Sequence, residues 1–301
     1  MKNNQTLLTY TALALAVIFW GLSFVATKVA LQSFPPFCLI FFRFLAASIF
    51  FIFLLMRTGL PRLDAKTIKS LLLLAIFQPG LYFTFETIGL QHTSATKASL
   101  IIATIPIVVL LFSAVFLKER VKTINVIGIF ISMIGVALLV FGGQSMEETQ
   151  GMLLGDFLIF GAVLAASIYM VMTRKLGQSL SPVQITGAQI ILGAIIFFPA
   201  FLFTFPEVEW HSVTSDAIIA VIGLTVFATI GAFLCYNYAL TKIPTAQVAV
   251  CINGIPLVTA CGAWIILGEQ LTPLQFIGGA IVISAVYLAN YSPPAKPLKK
   301  A

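Results

Sequence analysis

Long stretches without any charged residue constrain this chain more than any other feature. Residues 217–241, 243–268 and 270–295 contain no Lys, Arg, Asp or Glu, and neither do residues 98–117 and 123–146. A helix needs about 20 apolar residues to cross the hydrocarbon core of a bilayer. Membrane β-strands would instead show alternating polarity over about ten residues, a pattern that these runs lack. The sequence therefore predicts an all-α integral membrane protein.

The composition supports this class and excludes others. Charged residues make up 9% of the chain and hydrophobic residues 60%, with a mean hydropathy of +1.07. A soluble domain carries roughly 25% charged residues, so a cytosolic enzyme, a disordered chain and a secreted disulfide scaffold are disfavoured. The net charge of +7 does not indicate nucleic-acid binding, because the basic residues lie between apolar segments. The four cysteines lie inside apolar runs without a CxxC pair, which is typical of buried free thiols.

Turn signals and charges divide the chain into ten apolar segments. The expected limits are 9–31, 36–56, 70–90, 95–117, 123–142, 153–173, 184–205, 217–240, 245–267 and 272–291. We interpret the first as a retained helix, because it is too long for the apolar part of a signal peptide and nine similar segments follow.

The basic residues predict the orientation of these segments in the membrane. With ten spans, 14 of the 17 Lys and Arg residues fall on the side of the two termini and only Lys97 falls on the other, while Lys28 and Arg43 lie within spans. The positive-inside rule then predicts cytoplasmic N- and C-termini.

The two halves of the chain resemble each other. At an offset of 150 residues, Ile105-Pro106 matches Ile255-Pro256 and Glu119 matches Glu269; at an offset of 146, Thr27-Lys28 matches Thr173-Arg174. Five spans in each repeat make the second repeat enter the membrane from the opposite side. Inverted repeats of this kind occur in many secondary transporters, where substrate binds between the halves, and also in some channels.

The order of several motifs resembles one known family. The relevant patterns are Trp20-Gly21-x2-Phe24-x3-Lys28, Pro36-x6-Arg43-Phe44, Thr93-Ser94-Ala95, Pro106 with Leu117-x-Glu119, the Gly128/Gly135 helix, and Pro256 with Leu267-Gly268-Glu269. Together they are similar to the EamA-type family of the drug/metabolite transporter superfamily. The resemblance implies two five-helix EamA repeats, at 9–142 and 153–291, with helices one, three, four, six, eight and nine lining a central cavity. Such proteins mostly export amino acids or related metabolites across a bacterial inner membrane.

Three ionisable residues inside predicted spans are the first candidates for a binding or coupling site. Lys28, Arg43 and Glu86 all fall in the outer half of the membrane, where charges are costly and usually face a cavity or a partner. One interpretation pairs Glu86 with one cation and leaves the other to attract an anionic substrate group. The alternative is a structural ion pair, with Lys28 extending to the headgroups. Glu86 could also carry a coupling proton.

Two polar helix faces provide further candidates. Gln78, Tyr82, Glu86 and Gly89 share one face of helix three, which lines a cavity or forms a packing seam with helix eight, where Tyr236 matches Glu86. On helices four and nine, Ser99 and Pro106 correspond to Ala249 and Pro256, and Asn253 is the most polar residue there. The two prolines are predicted either to bend these helices around a substrate path or to aid packing only.

The leading hypothesis is a secondary transporter that exports small polar metabolites by alternating access. An import carrier or channel of the same fold is the first alternative. A membrane-embedded enzyme acting on lipid-linked substrates is the second, but among the charged residues only Glu86 is well placed for it. The sequence lacks Walker A, HExxH, GxSxG and TVGYG motifs. We therefore expect no enzymatic activity, cofactor, metal or nucleic-acid partner; the expected partners are a small-molecule substrate and the lipid bilayer, and no oligomeric state is predicted.

Overall fold

The computed structural model describes residues 2–60, 64–93, 95–117, 123–141, 153–267 and 272–290. Glu119 and Glu269, which belong to the repeated motif, lie outside these residues. The described part contains ten helical units, as the apolar segments predict. The first five are α1 (Lys2–Ala30), α2 (Pro36–Thr58), α3 (Ala65–His92), α4 (95–117) and α5 (Thr123–Phe141). The second five are α6 (Leu153–Leu176), α7 (Pro182–Thr204), α8 (Ser215–Lys242), α9 (245–267) and α10 (Pro273–Asn290).

Most of these helices match the thickness of a bilayer. Seven are long and apolar enough to cross a membrane, namely α1, α2, α3, α6, α7, α8 and α9. The other three contain shorter apolar stretches, Ile105–Leu117, Val126–Gly135 and Phe276–Ala285. Many large apolar side chains on the outside of the bundle are exposed, including Phe203 at 82% and Ile265 at 74%. Such a surface is stable in lipid and not in water, so the chain is a ten-helix membrane protein.

Helix contacts follow the repeat. Helix α1 packs against α8 and α9, and its counterpart α6 packs against α3 and α4, which are the counterparts of α8 and α9. Helices α2 and α7 pack on each other, and so do α5 and α10. This exchange of partners is expected of two inverted repeats related by a pseudo-two-fold axis.

Irregular backbone recurs at matched positions in both repeats. Helices α3 and α8 each contain a π-helical segment, Ile76–Leu81 and Leu224–Gly231. Helices α4 and α9 are each interrupted by a turn, at 103–104 and 253–254. Pro106 and Pro256 are the second residues after these turns, where the missing proline N–H would have had no helical partner. The interruptions therefore lie just before the prolines, and in a membrane such irregularity is tolerated only inside protein or beside a cavity.

Candidate functional site

A cavity of about 40 Å³ lies between the two repeats. It is lined by residues of α1, α3, α4, α6, α8 and α9, the six helices that the family resemblance implies, and by Arg43 of α2. Five of the predicted site residues line it: Arg43, Gln78, Tyr82, Glu86 and Tyr236. Their role in binding or coupling stays a prediction.

The repeat register accounts for most of the wall. Of the seventeen described residues that line the cavity, fourteen form pairs at an offset of 146 or 150 residues. In the repeat alignment Ser23 thus corresponds to Tyr169, and Glu86 corresponds to Tyr236. The three lining residues without a counterpart in the wall are Arg43, Gln78 and Tyr82, all from the first repeat. The cavity therefore lies on the pseudo-symmetry axis, but its polar groups are concentrated on one side.

Arg43 is held in place by a neutral partner. The guanidinium is buried, and its Nε and Nη2 atoms donate hydrogen bonds to Thr229 Oγ1 at 3.3 and 3.2 Å. The guanidinium carbon, Cζ, also lies 5.0 Å from the centre of the Phe83 ring, which is a cation–π contact. Thr229 belongs to the π-helical segment of α8 and donates in turn to Leu224 O. The irregular turn of the second repeat therefore fixes the cation of the first.

Glu86 is buried to 4% exposure and is the carboxylate of the cavity wall. It accepts a hydrogen bond of 3.5 Å from Thr87 Oγ1 and interacts electrostatically with Arg43. Because the guanidinium donates its hydrogen bonds to Thr229, it is not paired with Glu86, although both side chains line the cavity. Both groups are then free to meet charges of opposite sign on a bound molecule.

Among the residues that the structure describes, two polar atoms of the wall have no partner. Gln78 Oε1 and the Tyr236 hydroxyl are buried and have no hydrogen-bond partner among the described residues. Gln78 has non-helical backbone angles, φ −146° and ψ 113°, within the π-helical segment of α3. Buried polar groups are nearly always paired, so both atoms are available for a hydrogen bond with a molecule in the cavity.

Aromatic rings of α1 and α8 form another part of the wall. The Trp20 ring centre lies 4.6 Å from that of Tyr236 and 5.2 Å from that of Phe233, both edge to face. The indole Nε1 of Trp20 donates to Ala228 O at 3.1 Å, in the π-helical segment of α8. This carbonyl is available because the π-helical turn disturbs the regular α-helical pairing.

Lys28 does not line the cavity. Its Nζ atom donates to the backbone oxygen of Thr93 at 2.7 Å, at the end of α3. Its repeat counterpart Arg174 donates through Nη1 to Leu240 O near the end of α8, at 3.0 Å. Both cations thus bind carbonyls at a helix C-terminus, where positive charge is favourable.

The remaining predicted residues lie outside the cavity wall. Ser99 and Asn253 are fully buried, and Asn253 Nδ2 donates to Ser132 Oγ on α5. Pro106 and Pro256 each follow a wall residue, Ile105 and Ile255. Gly89 of the polar face packs on α6, since a Cβ there would lie 2.8 Å from Ile159 Cδ1.

Trp20 and Tyr169 are weaker candidates from the sequence and Ser23 is not a candidate, yet all three line the cavity. The repeat register held a signal for them. Applied to α1 and α6, the offset of 146 pairs Trp20 with Ala166 and Ser23 with Tyr169.

Comparisons with known proteins agree with this architecture. The profile of the EamA-like transporter family matches residues 7–141 and 153–291. An uncharacterized transporter of Archaeoglobus fulgidus is 30% identical over 285 residues, which cover 94% of this chain and 97% of that protein. The uncharacterized transporter YetK of Bacillus subtilis is 27% identical and covers 93% of this chain and 86% of its own. A solved crystal structure with 18% identity superposes with a TM-score of 0.78 over 96% of both chains, which shows the same fold. The chain therefore belongs to the EamA-like transporter family.

Proposed function

We propose that this transporter exports small polar metabolites, amino acids or related compounds, by alternating access of the two repeats to the central cavity. The observation that carries the proposal is a cavity on the pseudo-symmetry axis with Arg43 and Glu86 in its wall. A site between two pseudo-equivalent halves can open to either side when the halves rock. The membrane is expected to be the cell inner membrane. Both termini are expected in the cytoplasm, because 14 basic residues fall on the terminal side.

The charges of the wall fit a zwitterion. The guanidinium of Arg43 presents donors in a planar fork that suits a carboxylate, while Glu86 can accept hydrogen bonds from an ammonium group. With Lys28 bound to Thr93 O, these are the two formal charges among the described wall residues, and they sum to zero. Gln78 Oε1 and the Tyr236 hydroxyl offer further hydrogen bonds, and Trp20 and Phe233 offer apolar contact. This set favours a compact solute with a carboxylate and an amine.

Substrate and direction are tested together in cells. We expect amino acids or their derivatives to accumulate in the medium of cells that overproduce the protein and to decrease in the medium of a deletion strain. Depletion of the same compounds from the medium would instead support import. Unchanged media in both strains would contradict the proposal.

Purified protein in liposomes tests the mechanism. An exporter that works by alternating access shows counterflow of a radiolabelled solute, whereas a channel does not. We expect Glu86→Gln to reduce this exchange strongly while the protein still folds, because the exchanged group lies in the cavity wall. Glu209→Gln makes the same chemical change at an exposed position and serves as the control. Normal exchange in Glu86→Gln would remove Glu86 from the site. In a second measurement on the unaltered protein, equal flux with and without a pH gradient would exclude proton coupling.

A further inference from the structure

A second cluster of buried polar side chains adjoins the cavity. It consists of five uncharged residues on α6, α7 and α8, which we call the polar cluster: Tyr169, Thr173, Thr186, Gln189 and Asn237. Tyr169 is 1% exposed and the other four are 0% exposed. Tyr169 also lines the cavity, so the cluster is continuous with the site described above.

The polar cluster extends from the depth of the cavity wall towards the side of the membrane on which the two chain termini lie. Helices α6 and α8 end on that side and α7 begins there, because an even number of helices precedes α7. Thr173 is three residues before the end of α6, Gln189 seven after the start of α7, and Asn237 five before the end of α8. At 1.5 Å per residue, these positions are about 5 to 10 Å below the helix ends.

Hydrogen bonds within the polar cluster tie the three helices together. The Tyr169 hydroxyl donates to Asn237 Oδ1. Asn237 Nδ2 donates to Thr186 Oγ1 at 2.9 Å and to Gln189 Oε1 at 3.4 Å. Polar side chains, and not only apolar packing, therefore join the three helices on the terminal side of the cavity.

The cluster is nevertheless incomplete. Gln189 Nε2 and Thr173 Oγ1 are buried and lack a hydrogen-bond partner of acceptable geometry in the described part of the chain. Lipid cannot satisfy such atoms, and leaving them unpaired is costly. Both groups lie against the Tyr169 hydroxyl, which also donates to Asn237, so they become available to a further molecule only when that hydroxyl moves away.

The opposite side of the cavity differs. The repeat counterparts of Tyr169, Gln189 and Asn237 are Ser23, Arg43 and Thr87. Ser23 donates to Trp20 O of its own helix at 2.7 Å, and Thr87 donates to its neighbour Glu86. The amide-rich cluster is thus a feature of the second repeat that the pseudo-symmetry alone does not produce.

We propose that the polar cluster is a second, transient solute-binding position on the transport path, between the cavity and the terminal face. This inference rests on the proposed path through the cavity. The position opens when Tyr169 separates from Asn237, and the freed hydroxyl and amide groups bind neutral hydrogen-bonding groups of the solute, such as hydroxyl, amide or bound water. The members of the polar cluster carry no formal charge. The cluster therefore binds the solute in passage without competing with Arg43 and Glu86 for the charged groups of the solute.

Accessibility to a thiol reagent tests this position without knowledge of the solute. Thr173→Cys is introduced into a protein whose native cysteines are replaced by alanine: Cys38, Cys235, Cys251 and Cys261. The probe is a negatively charged, membrane-impermeant methanethiosulfonate, applied to intact cells and to inverted membrane vesicles. Ser167→Cys is the matched control, because Ser167 lies on the same helix, is equally buried and donates to Val163 O of that helix.

We expect the cysteine at 173 to react from the terminal side at least about threefold faster than the cysteine at 167. Adding Asn237→Leu, which removes the partner of Tyr169, should raise the rate at 173 further by about two- to tenfold, the factor for one lost hydrogen bond. Equal rates at 173 and 167, with and without the Asn237 substitution, would overturn the proposal. Fast reaction at 173 in a protein that transports no amino acid would refute the proposed substrates and leave the second position standing.

Discussion

Two tyrosines of the cavity wall should respond in opposite ways to the loss of their hydroxyl group. Tyr236 and Tyr169 are both almost fully buried, but the Tyr236 hydroxyl has no partner among the described residues, whereas the Tyr169 hydroxyl donates to Asn237. Tyr236→Phe keeps the ring contact with Trp20 and removes an unpaired polar atom. Tyr169→Phe leaves Asn237 Oδ1 without its donor.

The expected sizes follow from the energetics of buried polar groups. An unsatisfied buried group costs about 1–3 kcal/mol, and interhelical hydrogen bonds in membranes average about 0.6 kcal/mol. We therefore expect Tyr236→Phe to raise the free energy of unfolding by about 1 kcal/mol and Tyr169→Phe to lower it by about 1 kcal/mol. If the Tyr236 hydroxyl binds solute, Tyr236→Phe should also raise the KM about two- to tenfold, the equivalent of one hydrogen bond.

Thermal unfolding of both variants in the same detergent gives the sign of each effect, and counterflow in liposomes gives the KM. The combination expected for Tyr236→Phe, a more stable protein with weaker solute binding, is typical of a group kept for function. A lower melting temperature for Tyr236→Phe would show that its hydroxyl is satisfied in the folded protein. A raised melting temperature with an unchanged KM would remove Tyr236 from the solute site.

Two further predictions concern helix packing and helix ends. Gly135→Ala should destabilise the contact between α5 and α10 by about 1–3 kcal/mol, because the new Cβ would lie 2.8 Å from Gly278 O; Gly223→Ala, which meets nothing within 4 Å, should be neutral or slightly stabilising in the same thermal assay. Equal melting temperatures for the two variants would contradict the close approach of α5 and α10. Lys28→Met should lower the melting temperature, because Thr93 O loses its donor at the end of α3, and should leave the KM within twofold; a larger rise in KM would return Lys28 to the solute site.

The helical architecture could be predicted from the sequence because a bilayer imposes simple rules. Charge-free runs of the right length identify helices, and the matched motifs identify the repeat. Both predictions are confirmed, and Arg43 and Glu86 were found because a charge within a span is conspicuous. The partner of Lys28 could not be predicted, since it is a backbone carbonyl and leaves no trace in the sequence.

The polar cluster was harder to predict from the sequence. Gln189 and Asn237 are polar residues in apolar helices, and such residues also serve ordinary helix packing. Only the three-dimensional contacts distinguish a tied cluster with an unpaired amide from a packing seam. The π-helical segments that position Thr229 and Gln78 are equally hidden, because they depend on how α3 and α8 pack rather than on a local motif.

The repeat register separates the positions that bend from the positions that bear charge. The π-helical segments and the interrupted helices occur in both halves, whereas Arg43 and Glu86 correspond to Gln189 and Tyr236. The irregular segments of α3 and α8 and the turns of α4 and α9 are therefore shared by the two repeats, and the two charges are not. On the proposed function, solute preference can be redesigned by exchanging side chains in one half, while the irregular backbone that both halves share is left intact.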